Sequence, residues 1–229
     1  MHKVKRNEAP EGLTEFSKEF QKRYNKEINI NSEWTTFGSN KLKKAIVDNL
    51  EKMYAGKCAY CESDIKSNSF ANIEHFRPKS KFPLLCYEYD NMHYVCSACN
   101  TYKRDKFDEK MIDPSIDEPE KHIKYQGYTA IYFDGRGQIM IDTLKINDNE
   151  RINVRAELFD ILKNMLESAE GYFILKDKLT GEDKENAIKL AKSQLETILK
   201  YCEHGQIYCT MCKNNFKESA IKLYNELNG

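Results

Sequence analysis

Two Cys-x-x-Cys pairs bracket one long segment in the first half of the chain. The first pair is Cys58 and Cys61, and the second pair is Cys96 and Cys99. This paired spacing is typical of a single tetrahedral zinc site, whereas four ordinary buried thiols rarely fall into two regular pairs. Because four thiolates leave no open coordination position, such a zinc would be structural. We therefore predict a zinc ion that joins the two ends of a loop-rich segment.

The segment between the pairs, and the residue after them, carry groups suited to phosphodiester hydrolysis. Residues 73–79 read Ile-Glu-His-Phe-Arg-Pro-Lys, and Asn100 follows the last cysteine. A neutral imidazole at His75 suits a general base near pH 7, although a lone histidine is more often a core residue bonded to a carbonyl. The carboxylate of Glu74 and the amide oxygen of Asn100 suit a hard cation, Mg²⁺ or Mn²⁺. Neighbouring strand side chains point to opposite faces, so Glu74 and His75 can act together only if the strand ends there, as Pro78 indicates.

The composition is that of a globular protein without an overall charge. The chain has 36 Lys and Arg residues and 36 Asp and Glu residues, so its net charge at pH 7 is zero. Any affinity for nucleic acid must therefore come from a local basic patch or from a partner protein. No apolar run approaches the length of a membrane span, and the polar N-terminus lacks a signal-peptide core. We expect a cytoplasmic protein without a membrane partner, whose paired cysteines bind metal in a reducing environment.

Apolar periodicity and turn residues predict the elements that must hold this site. Lys103 is expected on or near the exposed side of the helix that follows the second cysteine pair. The expected elements are a helix over residues 11–29, a helix from its N-cap Ser39 to Gly56, strands at Phe70–His75 and Tyr94–Cys96, and a helix over Asn100–Phe107.

The chain changes character after Phe107. An acidic connector is followed by Tyr128–Phe133 and Gln138–Ile141, which alternate around Asp-Gly-Arg-Gly at residues 134–137 and predict a β-hairpin. From Asn149 onwards the pattern is helical. The predicted class is α+β, in four segments: an N-terminal helical segment (1–56), the cysteine module (57–107), a connector with the hairpin (108–148) and a C-terminal helical region (149–229).

The motif residues together resemble the HNH endonucleases, whose fold is the ββα-metal finger. The matching pattern is Cys-x-x-Cys, Glu-His-Phe-Arg-Pro-Lys, Asn91 and Cys-x-x-Cys-Asn-x-x-Lys. The resemblance implies that His75 is the general base, that Glu74 and Asn100 hold the catalytic cation, and that Asn91 orients the loop. Glu74 stands where the family more often has Asp or His. The implied architecture is a zinc-stapled ββα-metal HNH module with N-terminal helices and a C-terminal hairpin-plus-helical region.

Four cations are candidates for contact with phosphate on the basis of charge alone. Each has the alternative interpretation of a solvated surface charge. The candidates are Arg77, Lys79, Lys103 and Arg104.

The region after the module resembles, more narrowly, the PtuB family of HNH nucleases from Septu and retron-associated anti-phage systems. The similar stretches are Met-Ile-Asp-Pro at 111–114, Glu-Pro-Glu-Lys-His-Ile at 118–123 and Leu-x-Ile-Asn at 144–147, with Arg151 and Arg155. This resemblance implies an ABC-type ATPase similar to PtuA as a partner, with a retron component as a further candidate. The C-terminal helices, which are apolar-periodic with mixed charge, are expected to bind that ATPase rather than nucleic acid.

Several alternatives stay open at the level of sequence. DNA is the expected substrate, but RNA, including tRNA, is not excluded by any residue type. A non-catalytic zinc adaptor would have no need of the Glu74, His75 and Asn100 set, and a nuclease acting alone would be expected to carry its own basic DNA-binding domain. A second metal site at Cys202, His204, Cys209 and Cys212 is chemically adequate, but we favour simple packing. Two further histidines are candidates for a role: His93 could line the cleft, and His122 could be structural.

Overall fold

A computed structural model describes residues 1–37, 41–65 and 71–228 of the chain. Within these ranges, no helix combines the length and the hydropathy needed to cross a membrane. The helices are α1 (Leu13–Arg23), α2 (Ile30–Thr36), α3 (Lys41–Met53), α4 (Ser97–Lys103), α5 (Gly135–Leu144), α6 (Asn149–Leu175), α7 (Gly181–Tyr201) and α8 (Cys209–Asn228). The strands are β1 (Asn72–His75), β2 (Met92–Val95), β3 (Ile123–Gln126) and β4 (Thr129–Tyr132).

The chain divides into two compact units. The first unit comprises Met1–His122 and Tyr132–Lys145, and the second comprises Ile123–Ile131 and Ile146–Gly229. Helices thus accompany two small two-stranded sheets, one formed by β1 and β2 and the other by β3 and β4, which confirms the α+β class.

The first unit is organised around β1, β2 and α4. The two strands are antiparallel, with Glu74 opposite His93 and His75 opposite Met92. Helix α4 begins directly after β2, because the sulfur of Cys96 accepts the Cys99 N–H and caps the first turn. Helix α4 contacts β1, and α3 contacts β2. A short ββα unit therefore carries the sequence motif.

Three predicted elements in the first unit have different boundaries in the structure: two helices, and the strand predicted at Tyr94–Cys96, which is β2 at Met92–Val95. The predicted helix over residues 11–29 is shorter in the structure: α1 ends at Arg23 because the chain turns extended at Tyr24, and a separate helix, α2, begins at Ile30 after its cap Asn29. The helix predicted at Asn100–Phe107 starts earlier, at Ser97, and ends where Arg104 takes a positive φ. The predicted starts at Ser39 and Phe70 lie outside the described residues.

The predicted hairpin around residues 134–137 is wrong. The segment Gly135–Leu144 is helix α5, because the carboxylate of Asp134 accepts the Gly137 N–H at 2.9 Å and caps a helix. Helix α5 buries Met140, Ile141 and Leu144 at helical spacing, and a Cβ at Gly137 would lie 2.3 Å from the carbonyl oxygen of His122. The observed hairpin lies earlier in the chain, where it joins β3 to β4 through Gly127, whose φ is +58°.

The second unit combines the β3–β4 hairpin with the three helices α6, α7 and α8. The amide of Asn147 bonds both the N–H and the carbonyl of Ala130, at 3.0 and 2.8 Å. The buried guanidinium of Arg155 donates to the carbonyl of Tyr128 at 2.7 Å and lies over the ring of Tyr125. Asn147 and Arg155, which both belong to the stretches that resemble the PtuB family, therefore hold the hairpin against α6 and have a structural role.

Candidate functional site

The four paired cysteines converge as predicted. Their sulfur atoms all lie within 4.8 Å of one another, and all four side chains are buried. The Cys61 and Cys96 sulfurs are 3.7 Å apart. Tetrahedral zinc with Zn–S bonds of about 2.3 Å requires sulfurs roughly 3.8 Å apart. The donor set and this spacing therefore fit zinc, and Cys58, Cys61, Cys96 and Cys99 would hold it with no open position.

The Glu-His segment and the residue after the cysteines meet in one cleft. The cleft has a volume of about 640 Å³ and is lined by α2, α3, β1, the loop after β1, and α4. Glu74, His75 and Asn100 all line it. Glu74 and His75 are the last two residues of β1, and both line the cleft although neighbouring side chains within a strand point to opposite faces. The strand therefore ends directly after His75, as the sequence predicts.

His75 is held in one tautomer by the main chain. Its Nε2 lies 2.9 Å from the carbonyl oxygen of Cys86, and because a carbonyl only accepts, Nε2 carries the proton. The lone pair is therefore on Nδ1. Burial lowers the pKa of His75 to about 3, against the opposing effect of the Cys86 carbonyl, and nearby lysines, Lys79 foremost, lower it further. The imidazole is thus neutral at pH 7, the form that a general base requires.

Glu74 is buried beside an ammonium group. Its Oε1 pairs with Nζ of Lys103, which also donates to the His75 carbonyl at 3.0 Å. Burial raises the pKa of Glu74, and the Lys103 charge offsets part of that rise. In the described part of the chain only Oε1 is engaged, so the second oxygen and the Asn100 amide are available to a cation. A carboxylate with an amide oxygen fits Mg²⁺ or Mn²⁺.

The predicted exposure of Lys103 is wrong, because its side chain is completely buried. The sequence shows Lys103 in a short run of basic residues with Arg104 and Lys106, and only the packing of α4 on β1 turns its side chain toward Glu74. Lys103 has no surface with which to contact a phosphate in this arrangement. It acts instead on the end of β1, where it binds one side chain and one carbonyl.

Lys103→Ala should destabilise the protein by about 3–5 kcal/mol, because it leaves the buried Glu74 carboxylate without its partner. The double variant Lys103→Met with Glu74→Gln should be less destabilised, since it removes both charges. Urea unfolding measures both effects. Lys106→Ala, an exposed lysine three residues on, is the control and should change stability by less than about 0.5 kcal/mol. A Lys103→Ala protein as stable as that control would contradict the prediction.

Asn91 lies outside the cleft and ties the loop after β1 to the strand that follows. Its side-chain oxygen accepts the Arg77 N–H at 2.8 Å, and its amide donates to the carbonyls of Arg77 and Leu85 at 3.0 and 3.1 Å. In addition, the Asn91 carbonyl accepts the Phe76 N–H at 2.9 Å. These four bonds determine the path of the chain directly after His75.

The remaining candidate cations differ in their surroundings. Lys79 and Arg104 line the cleft, and neither has an ion-pair partner in the described ranges. Arg77 lies outside the cleft, pairs with Glu109 at 2.9 Å and stacks over the ring of Phe107. A further cation that sequence reasoning missed, Lys43 of α3, also lines the cleft. No motif signals it, because its only link to the site is through the tertiary fold.

The other candidate ligands do not join the cleft. His93 is buried, with Nδ1 2.6 Å from the hydroxyl of Tyr54 and Nε2 3.3 Å from Asp113. His122 bonds Asp134 at 2.6 Å through Nδ1. Cys202, Cys209 and Cys212 are all buried. Within residues 146–228, however, no three ligand atoms of His, Cys, Asp or Glu lie as close together as the sulfurs of the four paired cysteines do.

The fold and this site define a class of protein. Residues 58–106 match the HNH endonuclease family, and this match includes all four cysteines, Glu74, His75 and Asn100. The chain therefore contains an HNH endonuclease domain, and this domain indicates a nuclease.

Over most of its length the chain is similar to two proteins, both named Septu protein PtuB. One, from Bacillus thuringiensis, is 29% identical over 203 residues, which cover 85% of this chain and 75% of that protein. The other, from Bacillus mycoides (strain KBAB4), is 25% identical over 202 residues, which cover 72% of this chain and 68% of that protein. The resemblance to PtuB thus extends well beyond the HNH domain.

Proposed function

We propose that this chain is a metal-dependent endonuclease that cleaves nucleic acid, DNA in preference to RNA, as an effector of Septu-type anti-phage defence. The observation that carries the proposal is the meeting of Glu74, His75 and Asn100 in one cleft, which Lys79 and Arg104 also line. A zinc adaptor would need none of these three residues. The similarity to PtuB proteins supports the link to defence.

The residues of the chain divide the chemistry among them. Nδ1 of His75 takes the proton of the attacking water, because Nε2 is occupied by the Cys86 carbonyl. Glu74 and Asn100 would hold a divalent cation, which would supply positive charge to the phosphate and leaving oxygens. Lys103 positions Glu74, and Asn91 positions the loop after His75. Lys79 and Arg104 contact the nucleic-acid backbone.

A nuclease assay on four substrates tests the proposal. The full-length chain is incubated with single-stranded DNA, duplex DNA, single-stranded RNA and tRNA, in Mg²⁺, in Mn²⁺ and in EDTA, with and without the ATPase encoded beside it. We expect cleavage that requires a divalent cation and favours DNA. Selective cleavage of RNA or tRNA would reassign the substrate, and no cleavage under any condition would contradict the function.

The second unit is proposed to bind an ABC-type ATPase similar to PtuA. Its helix α6 carries a stripe of apolar residues at spacings of three and four, and two of them, Val154 and Ile161, are 43% and 53% exposed. Leu158 and Met165 complete the stripe and are partly exposed. An apolar stripe on a solvent-facing helix is suited to a protein partner and offers nothing to a phosphate backbone.

Val154→Asp with Ile161→Asp should weaken binding to the ATPase by about tenfold or more, since charges at apolar contact positions oppose desolvation. Asn153→Asp with Asn164→Asp adds the same charge at exposed positions of the same helix and is the matched control. Co-purification and titration calorimetry compare the two pairs. Equal binding by both double variants would remove α6 from the interface.

A further inference from the structure

The wall of the cleft that is formed by α2 and α3 lies outside the HNH domain. The family match begins at residue 58, whereas Asn31, Trp34, Lys43 and Val47 line the cleft beside His75. An HNH domain by itself would therefore leave this side of the cleft open. The N-terminal helices thus contribute part of the surface that a substrate meets.

Trp34 contacts both His75 and Lys43. Its ring meets the His75 imidazole edge-on, with centroids 4.6 Å apart and planes at 77°. The ammonium of Lys43 lies 4.9 Å from the centroid of the same Trp34 ring, in the range of a cation–π contact. One indole thus links the general base to a cation that the HNH motif does not contain.

Lys43 has no anionic partner within residues 1–37, 41–65 and 71–228. It forms no ion pair with any residue in the described ranges, and it is only partly exposed. Burial lowers the pKa of Lys43, and the nearby charge of Lys79 lowers it further, so two cations lie close together in this cleft. Cations that are crowded together and partly withdrawn from water bind an anion more strongly than isolated surface lysines do.

We infer that Lys43 contacts a phosphate of the nucleic acid in the cleft, and that Trp34 is a positioning residue that holds the Lys43 ammonium beside the His75 ring. This inference rests on the proposed function, because it needs a nucleic-acid strand at Glu74 and His75. It adds a phosphate contact from α3 to those of Lys79 and Arg104, and it gives the N-terminal helices a role in substrate binding.

The test measures binding in a His75→Ala background, which leaves the substrate uncut. Fluorescence anisotropy with labelled single-stranded and duplex oligonucleotides, in Mg²⁺, gives the affinity as a function of salt. Lys43→Ala should bind about tenfold more weakly. The slope of log affinity against log salt should fall in magnitude by about 0.7 for a single strand or about 0.9 for a duplex, because these are the changes expected when one phosphate contact is lost. Lys43→Arg should restore most of the affinity.

Lys44→Ala is the matched control, because Lys44 is the exposed neighbour on the same helix and does not line the cleft. It should bind as the parent does, with an unchanged salt slope. If Lys43→Ala behaves like Lys44→Ala while the parent binds and the wild type cleaves, the inference is wrong and the proposed function stands. If the parent binds no oligonucleotide and the wild type cleaves none, the proposed function itself fails.

A double-mutant cycle tests the role of Trp34. Trp34→Leu removes the aromatic face and should weaken binding about as much as Lys43→Ala does, whereas Trp34→Phe keeps a ring and should lose less. In the Trp34→Leu background, Lys43→Ala should cause little further loss of affinity, because Trp34 acts on the phosphate through Lys43. Zinc content and melting temperature show whether each variant is folded. Fully additive effects in folded variants would exclude the positioning role.

Discussion

His75→Ala should lower the rate of cleavage by about 10²–10⁴-fold, because it removes the general base and leaves the rest of the cleft in place. Among the residues that the structure describes, the imidazole bonds the Cys86 carbonyl alone and contacts Trp34, so its loss does not remove a candidate zinc ligand. The measurement is the single-turnover rate of the full-length protein on its preferred substrate, at saturating enzyme.

The variant protein should retain its zinc content and its melting temperature to within a few degrees. His122→Ala is the control, because His122 lies outside the cleft in a hydrogen bond with Asp134, and its rate should equal that of the wild type. If His75→Ala and His122→Ala cleave equally fast, His75 is not the base, and the catalytic assignment of the whole motif is lost.

Cys58→Ser should remove the bound zinc and unfold the first unit. Structural zinc contributes folding free energy on the order of 10 kcal/mol or more, which is comparable to the net stability of a whole domain. The serine hydroxyl replaces one of four thiolates that meet within 4.8 Å, and the remaining three bind zinc much more weakly. Elemental analysis of purified protein should find one zinc per wild-type chain and almost none in the variant, together with lost solubility.

Cys86→Ala tests whether the effect belongs to the zinc site or to any buried cysteine. Cys86 is as deeply buried as Cys58 but is not one of the four clustered sulfurs. Its loss should cost only the packing of one small side chain, about 1–2 kcal/mol, with the zinc retained. Wild-type protein that contains no zinc as purified would refute the structural site.

The convergence of the four cysteines and the end of β1 at His75 could be predicted because their signals are local. A Cys-x-x-Cys pair places two sulfurs on one turn, whatever the rest of the chain does. The end of β1 at His75 is likewise local, since Pro78 stops the strand shortly afterwards. The resemblance of residues 58–106 to HNH endonucleases follows from the same short spacings.

The elements around residues 128–144 could not be predicted from the pattern alone. A short apolar run fits a strand or a buried helix equally well, and the Asp-Gly-Arg-Gly sequence suits a hairpin turn or a helix start. The cap from Asp134 to Gly137 and the close approach of Gly137 to the His122 carbonyl decide for the helix. Gly137 and His122 approach each other only in the folded chain, so this contact could not be read from the local sequence pattern.

The sequence by itself indicated the candidate metal ligands, the candidate base and the class of chemistry, because these depend on residue type and on spacings within a few turns. Only the tertiary structure decided which charges reach the cleft. It buried Lys103 against Glu74, kept Arg77 outside, and brought Trp34 and Lys43 beside His75. The physical reason is that a side chain's exposure and partners depend on the packing of separate elements, α4 on β1 for Lys103 and α2 and α3 beside β1 for the other two.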